Sequence, residues 1–403
     1  MDPSLGRDSI ESGIRAAVVG SVAVVVFMVV YYLTAGVVAD LALLLNILIL
    51  ICVLAMFKFT LTLPGIAGIV LTIGMAVDAN VLIYERVLEE LAANKPLRTA
   101  IAAGYTRAFI VIFDSNFTTI LTAVILIWMC SGPVKGFGVT LTIGLLANLF
   151  AAVFVTRAVF DWLVGKGWLR SFKMAHVFRH LPRINFLGVW KMAFALSWAL
   201  IIAGVISFWH RGGLDLGKGA VYGIDFAGGD TVTMSFAQRV DEDKIRRSLE
   251  AAGFKEAYIQ YERGAKDEVL SLKLPEGLTE KVVAQLQKDF PEAQLKALGT
   301  ERVGAVVGKE LLKQALWAVL LSLVAIMIYV AFRFGEFSYG LGALISLVHD
   351  VLMTVGWFCL TGRTFSMPVV AAILTLIGYS INDTIVVFDR IRENKKLTGG
   401  RLN

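Results

Sequence analysis

Residues 74–86 read GMAVDANVLIYER, and residues 378–390 read GYSINDTIVVFDR. The first phrase sets Asp78 inside an apolar run that otherwise reads as a membrane span. The second is a variant of it, with its acid at Asp383. A shift of 304 positions lays residues 60–87 on residues 364–391, and seven of the 28 positions are then identical. Among them are Pro64/Pro368, Gly74/Gly378 and Arg86/Arg390, while Glu85/Asp389 and Tyr84/Phe388 are conservative. Membrane helices draw on a small alphabet, so apolar matches alone mean little. A shared Pro, Gly and acid-Arg ending at fixed spacing carries more weight. Both copies are expected to run in the same direction, which makes this a parallel repeat of the kind transporters use.

The halves are related but not equal where it matters chemically. The same shift pairs Asn46 with Asp350, Asp78 with Asn382, and Ala79 with Asp383. One half therefore offers Asp78, and the other offers Asp350 and Asp383.

Outward from these phrases, the chain has 403 residues, of which 57% are hydrophobic, and a mean hydropathy of +0.73. Soluble domains are about 45–50% apolar. A bilayer needs about 20 apolar residues per helix, and nine runs qualify: 12–33, 38–57, 65–84, 109–130, 137–160, 190–209, 310–332, 338–360 and 367–388. The first is too long, and too far from an A-x-A site, to be a simple signal peptide. These runs predict an α-helical polytopic membrane protein.

The net charge of +6 does not point to nucleic acid, because the cations are segregated. Arg86, Lys95, Arg98 and Arg107 fall between two spans. Lys166, Arg170, Lys173, Arg179, Arg183 and Lys191 fall between two others, and Arg390, Arg392, Lys395, Lys396 and Arg401 lie at the end. This alternation follows the positive-inside rule, placing those segments in the cytoplasm and residues 210–309 outside. The N-terminus then begins outside without a cleavable leader, which leads us to expect further sequence upstream. Cys52, Cys130 and Cys359 all lie within spans and form neither a disulfide framework nor a metal spacing. No metal or cofactor is expected.

The expected organisation is a five-span half over 1–160, a basic linker over 161–189, and a sixth span over 190–209. An outer domain over 210–309, three further spans over 310–390 and a short tail over 391–403 follow. Within the outer segment, VDEDKIRRSLEAAGF and GLTEKVVAQLQKDF read as amphipathic helices. The first has acids in its opening turn, as the helix dipole favours. VYGIDFAGGDTVTMSF sets β-formers around a Gly-rich turn, EAYIQYER and DEVLSLKL alternate like strands, and QLKALGTERVG suggests a last strand. The order β-α-β-β-α-β is the ferredoxin-like plan.

A charge at the middle of a spanning helix costs about 2.5–3.5 kcal/mol on insertion scales. Desolvation disfavours the anion, so a carboxyl held there is suited to taking up and releasing a proton. Asp78, Asp383 and Asp350 are candidates for a proton relay, with Asn46, Asn80 and Asn382 as uncharged hydrogen-bonding support. His349 is a candidate relay member beside Asp350, or simply a hydrogen-bonded helix residue. Asp114, in IVIFDSNFTT, is either an interface anchor or a pathway entrance near the inner end of its span. Arg86 and Arg390 each follow an acid and are expected to mark the cytoplasmic boundary, pairing with carboxylates or lipid phosphate. The bland alternative is a polar cluster that only pins helices, worth about 0.6 kcal/mol per interaction. Three acids with no evident intramembrane cation are poor glue.

Several other readings fall away. GGLDLGKG, residues 212–219, nearly spells a phosphate loop, but Gly219 replaces the Ser or Thr hydroxyl and the stretch follows a membrane helix. NFT at Asn116 lies within a span, so glycosylation is discarded. No Ser-His-Asp or H-E-x-x-H arrangement occurs, and neither GMAVD nor GYSIND fits an intramembrane aspartyl protease. No enzyme is expected.

GMAVDANVLIYERV with the preceding LPGIAGIVLTI resembles a SecD membrane motif. YGIDFAGG, residues 222–229, resembles the signature that opens the SecF outer domain, and LVHD and IGYSINDTIVVFDRIREN resemble SecF membrane motifs. The chain is thus similar to the SecD and SecF family, in that order, over nearly its whole length. The resemblance implies a resistance-nodulation-division type membrane fold in the bacterial inner membrane. It implies partners in the SecYEG channel, YajC and the SecA-driven translocation complex, with unfolded preprotein and membrane lipid as contacts. The proton motive force would be the energy source, with sodium as the alternative ion. It assigns proton handling to Asp78 and Asp383, and less firmly to Asp350. Gly223, Asp225, Gly228 and Gly229 carry the domain-opening motif, whose glycines permit a tight turn. By the family pattern a SecD outer domain would precede this sequence and two SecF spans would follow it, the first with an arginine near the aspartates. A proton-coupled efflux or lipid transporter of the same superfold is the alternative, and would need larger outer domains. A scaffold whose acids are structural is a further one.

Overall fold

The apolar runs become helices that outlast them. The computed structural model describes residues 3–59, 61–172, 174–175, 186–213, 221–254, 257–263 and 268–397. Among them, nine helices are long and apolar enough to cross a membrane, as the run lengths predict. The first half holds α1 (Pro3–Tyr32), α2 (Thr34–Met56), α3 (Leu63–Ala92), α4 (Leu97–Met129) and α5 (Pro133–Leu149). A π turn, Phe150–Val155, joins α5 to α6 (Thr156–Gly165), so that one span, Val134–Gly165, is built of three pieces. Next come α7 (Trp190–His210) and the outer elements α8 (Ile224–Ala227), β1 (Gly229–Ser235), α9 (Glu242–Ala251), β2 (Tyr258–Arg263), β3 (Glu268–Leu274), α10 (Thr279–Asp289) and β4 (Lys296–Val303). The chain closes with α11 (Ala305–Phe334), α12 (Phe337–Leu360) and α13 (Met367–Leu397). The phosphate-loop decoy over 214–219, the linker cations Lys173, Arg179 and Arg183, and Arg401 lie outside the described residues.

Helix ends follow local chemistry. Thr62 caps α3, its side chain accepting from the Gly65 amide at 3.2 Å, with Pro64 in the first turn where a missing N–H costs nothing. Pro368 holds the same place in α13. α4 begins at Leu97 rather than 109, so Arg98 and Arg107 lie on the helix and not in a loop. Hydropathy marks the part that meets lipid, while backbone hydrogen bonding continues past it.

The chain divides into two compact units. One comprises Met1–Gly13, Lys191–Trp317 and Leu352–Val370; the other comprises Ile14–Trp190, Ala318–Val351 and Ala371–Asn403. The first contains the α+β domain. Its strands order as β2-β3-β1-β4, every pair antiparallel, which is the ferredoxin-like sheet. Alternation sends Leu270, Leu272 and Leu274 of β3 and Val232 and Met234 of β1 into one core. Ile245 with Leu249, and Val282 with Leu286, meet them from α9 and α10 at i,i+4 spacing. The Asp241 side chain accepts from the Asp243 amide to start α9.

Asp230 is a charged residue of this domain that is fully buried. Its Oδ1 accepts from Arg302 Nε at 2.7 Å; its Oδ2 accepts from Arg302 Nη2 at 3.1 Å, Thr279 Oγ1 at 2.8 Å and the Gly277 amide at 3.0 Å. The Arg302 bonds, followed by those of Thr279 and Gly277, hold the Asp230 carboxyl below its usual range despite burial. A depressed folded-state value adds stability above the ordinary carboxylate range, and that stability is lost as pH falls through the folded value. Asp230→Ala is expected to remove about 2–3 kcal/mol, since hydrogen bonds to a charged group are individually strong. Amide exchange of β1 and β3, followed from pH 6 downward, should show the acid-induced loosening in the unsubstituted chain and a flatter profile in the variant.

In the second unit α3 is central, packing on α4 and α5. Its Tyr84 and Val87 join Met28, Ile101, Tyr105, Ile112 and Phe160 in a buried cluster. Leu169 and Phe172, from the segment after α6, fold back into the same cluster.

Candidate functional site

Three helices of the second unit enclose Asp78. From α3 come Asp78 and Ala79, from α4 Ser115 and Asn116, and from α13 Asn382 and Asp383. They line a cavity of about 60 Å³ walled by Leu82, Ile112 and Val386, room for about two water-sized ligands. The one-residue offset between the repeats thus turns Asp78 and Asp383 toward one space, with Asn382 beside them.

A close seam between α4 and α13 sets this geometry. Thr119 Oγ1 donates to the Gly378 carbonyl at 2.7 Å. The Asn382 amide, with its nitrogen toward the carbonyls as the hydrogen-bond network requires, donates to Ser115 O at 3.0 Å and Gly378 O at 3.2 Å. A Cβ on Gly378 would stand 2.6 Å from Thr122 Oγ1 and 3.0 Å from Thr119 Cα. Gly74, its repeat equivalent, has nothing within 4 Å of such a Cβ. Asn116 Nδ2 donates to Ile112 O at 2.8 Å.

Other candidates lie elsewhere. Asp350, on α12, accepts from Ser380 Oγ at 2.5 Å and meets His349 Nδ1 at 3.2 Å; it does not line the Asp78 cavity. Asn46 and Asn80 are buried. Asn80 donates to Ala76 O at 3.1 Å, but its oxygen, and both polar atoms of Asn46, have no partner among the described residues. Asp40, which sequence reasoning passed over, has both carboxylate oxygens buried without such a partner. Asp114 lies midway along α4, which starts earlier than its apolar run. It accepts from Tyr329 at 2.9 Å and pairs with Arg333 of α11 at 2.7 Å.

Past the cavity, toward the far ends of α3 and α13, the repeat closes on itself. Arg86 meets Glu89 of its own helix at 2.9 Å and Glu393 of α13 at 3.6 Å. Arg390 meets Glu393 of its own helix at 2.8 Å and Glu89 of α3 at 2.5 Å. The 304-residue shift carries Glu89 onto Glu393 as it carries Arg86 onto Arg390, so the four pairs exchange with one another. Arg86 also approaches Asp389 at 3.9 Å. Glu90, buried nearby, takes Arg107 at 2.8 Å together with Lys95.

In the first unit, the motif at 222–229 runs beside residues 365–367. The Gly223 amide donates to Phe365 O at 2.6 Å, and Asp225 Oδ2 accepts from the Met367 amide at 2.8 Å. Gly228 and Gly229, at φ +75° and +112°, turn the chain from α8 into β1.

These features define a multi-pass membrane protein made of two related helical halves, with a small α+β domain and carboxylates from both halves facing one cavity. The chain belongs to the SecD/SecF family: the family described as "Protein export membrane protein SecD/SecF, C-terminal" matches residues 1–166 and 282–402, one stretch in each half. It is 41% identical over 405 residues to the protein translocase subunit SecDF of Thermus thermophilus, covering 98% of this chain and 53% of that protein. It is 59% identical over 162 residues to the protein translocase subunit SecD of Syntrophobacter fumaroxidans, covering 40% of this chain and 30% of that one. A crystal structure of Thermus thermophilus SecDF, described as a translocon-associated membrane protein, superposes with a TM-score of 0.87 at 39% identity. That match covers 98% of this chain and 53% of the solved one. The chain therefore spans about half the length of the SecDF relatives it matches.

Ser115 and Asn116 are the polar cavity residues that sequence reasoning missed. Their signal was present, two polar residues directly after Asp114 in an apolar run, but only the packing of α4 on α13 gives them a role.

Proposed function

We propose that this chain serves protein export across the bacterial inner membrane, using an ion gradient, with the proton as the ion, to promote late movement of an exported polypeptide. It works as an accessory to the SecYEG channel, with YajC and the SecA-driven complex, rather than as an enzyme. In this reading the ends bearing Arg86 and Arg390 face the cytoplasm and residues 210–309 face outward. The observation that carries it is the cavity shared by Asp78 and Asp383, one carboxylate from each half. Two like charges in so small a space repel strongly at low dielectric, and one bound proton relieves that repulsion. A proton taken up on one side and released on the other then switches the packing of α3 against α13. Each charge crossing 100 mV releases about 2.3 kcal/mol, several times thermal energy. The names borne by the relatives support the export role.

Release of a secreted protein from spheroplasts, with and without this protein, tests the reading. Collapsing the proton gradient with a protonophore should abolish the increment that depends on this protein. Collapsing the sodium gradient should leave it intact. The reverse result assigns sodium as the ion, and indifference to both rules out ion coupling.

A further inference from the structure

We propose that Asp225 is a positioning residue for α13, anchoring the first turn of the helix that carries Asn382 and Asp383 to the α+β domain. The first amides of any helix lack intrahelical partners, and α13 has no acidic residue in its own first turn. Asp225 supplies one from 142 residues away, its Oδ2 accepting from the Met367 amide at 2.8 Å. A carboxylate at this position bonds the orphan donor and complements the helix dipole.

The contact is part of a built splice. Residues 221–223 run beside Phe365 as a short parallel bridge, the Phe365 amide donating to Val221 O at 2.7 Å and the Gly223 amide to Phe365 O at 2.6 Å. A Cβ on Gly223 would stand 2.9 Å from that Phe365 oxygen, so a side chain there would push the two strands apart. Phe226, next in the motif, is buried, and a Cβ on Gly308 of α11 would stand 2.6 Å from its carbonyl oxygen. Two turn glycines then lead directly into β1. The motif therefore reads in order as bridge, cap, plug and turn. Its aspartate ties the sheet to the first turn of α13, the helix that also carries Asp383 in its sequence. A displacement of β1 pulls on that helix, and a shift of the helix pulls on β1.

The consequence for export rests on the proposed function, but the anchor can be read independently of it. Asp225→Ala and Asp225→Asn, made in the full protein in lipid nanodiscs, are compared by amide hydrogen exchange and by release of a secreted protein in cells. In Asp225→Ala, the amides of Met367, Val369 and Val370 should exchange about tenfold faster, the loss of a cap worth ~1.4 kcal/mol, while β1 and β3 stay protected. Release should fall with it. Asp225→Asn keeps an acceptor oxygen and should restore both. Unchanged exchange at these amides overturns the proposal, as does acceleration spread over β1 and β3, which would mean a role in the domain fold alone. Where Asp383→Asn abolishes release, full release in Asp225→Ala with a loosened α13 start also overturns it. If Asp383→Asn leaves release intact while Asp225→Ala still frees the α13 start, the ion-coupling reading fails and the anchor stands.

Discussion

Asp78→Asn and Asp383→Asn should each abolish gradient-dependent release of an exported protein while leaving the membrane helices folded. Asn is close to Asp in shape and keeps a polar group in the cavity with Ser115, Asn116 and Asn382, so packing changes little. It cannot carry a proton. With either carboxylate gone, the remaining one no longer faces a like charge, and the repulsion that makes proton uptake change the packing disappears. The drive at stake is about 2.3 kcal/mol per charge at 100 mV, on the order of fiftyfold in an equilibrium, and a loss of tenfold or more is expected from either substitution. Asp350→Asn should do less, because Asp350 is held by Ser380 outside the cavity. Release from spheroplasts energised at fixed pH would measure all three. Wild-type, still gradient-dependent release in both Asp78→Asn and Asp383→Asn would refute the site.

The repeated glycine gives the second large effect, and an internal control. Gly378→Leu should unfold the seam between α4 and α13, and Gly74→Leu should be nearly silent. At Gly378 the added side chain meets Thr119 backbone and Thr122 hydroxyl at under or near 3 Å, so one helix must move away. That breaks the Thr119 bond to the Gly378 carbonyl and the two bonds of Asn382, and with them the alignment of Asp383. Overpacking of this kind costs about 1–3 kcal/mol, with loss of function expected beyond the loss of stability. At Gly74 there is open space, and an exposed substitution stays within about 0.5 kcal/mol. Thermal unfolding in detergent together with the release assay would separate them. Equal effects at the two positions would show that the seam does not set the site.

Much of this architecture is legible in the residues because its causes are local. Run length declares each spanning helix, alternation declares β2 and β3, and i,i+4 spacing declares the inner faces of α9 and α10. The repeat, too, is a matter of order along the chain, and it points to Asp78 and Asp383. Partner choice across 259 residues, as between Thr119 and Gly378, leaves no such trace. Helical periodicity tells which face is polar, not which helix will lie against it. Ser115 and Asn116 were therefore visible as polar residues and unreadable as cavity wall. Glu89 and Glu393 fall just beyond the 28-residue match, although the same shift pairs them. Asp225 reads from sequence as part of a glycine turn, since nothing in YGIDFAGG reveals that Met367 will arrive beside it.

The crossed pairing of Arg86 with Glu393 and Arg390 with Glu89 has a further meaning. A set of contacts in which i meets j and j meets i is the mark of an isologous interface, the kind two identical subunits make across a twofold axis. Each half of this chain thus carries both sides of the joint. A single half is complementary to a copy of itself at this end of the helix. The asymmetry of Asp78 and Asn382, or of Ala79 and Asp383, sits within a pair whose ends clasp as a homodimer's would, inside one polypeptide.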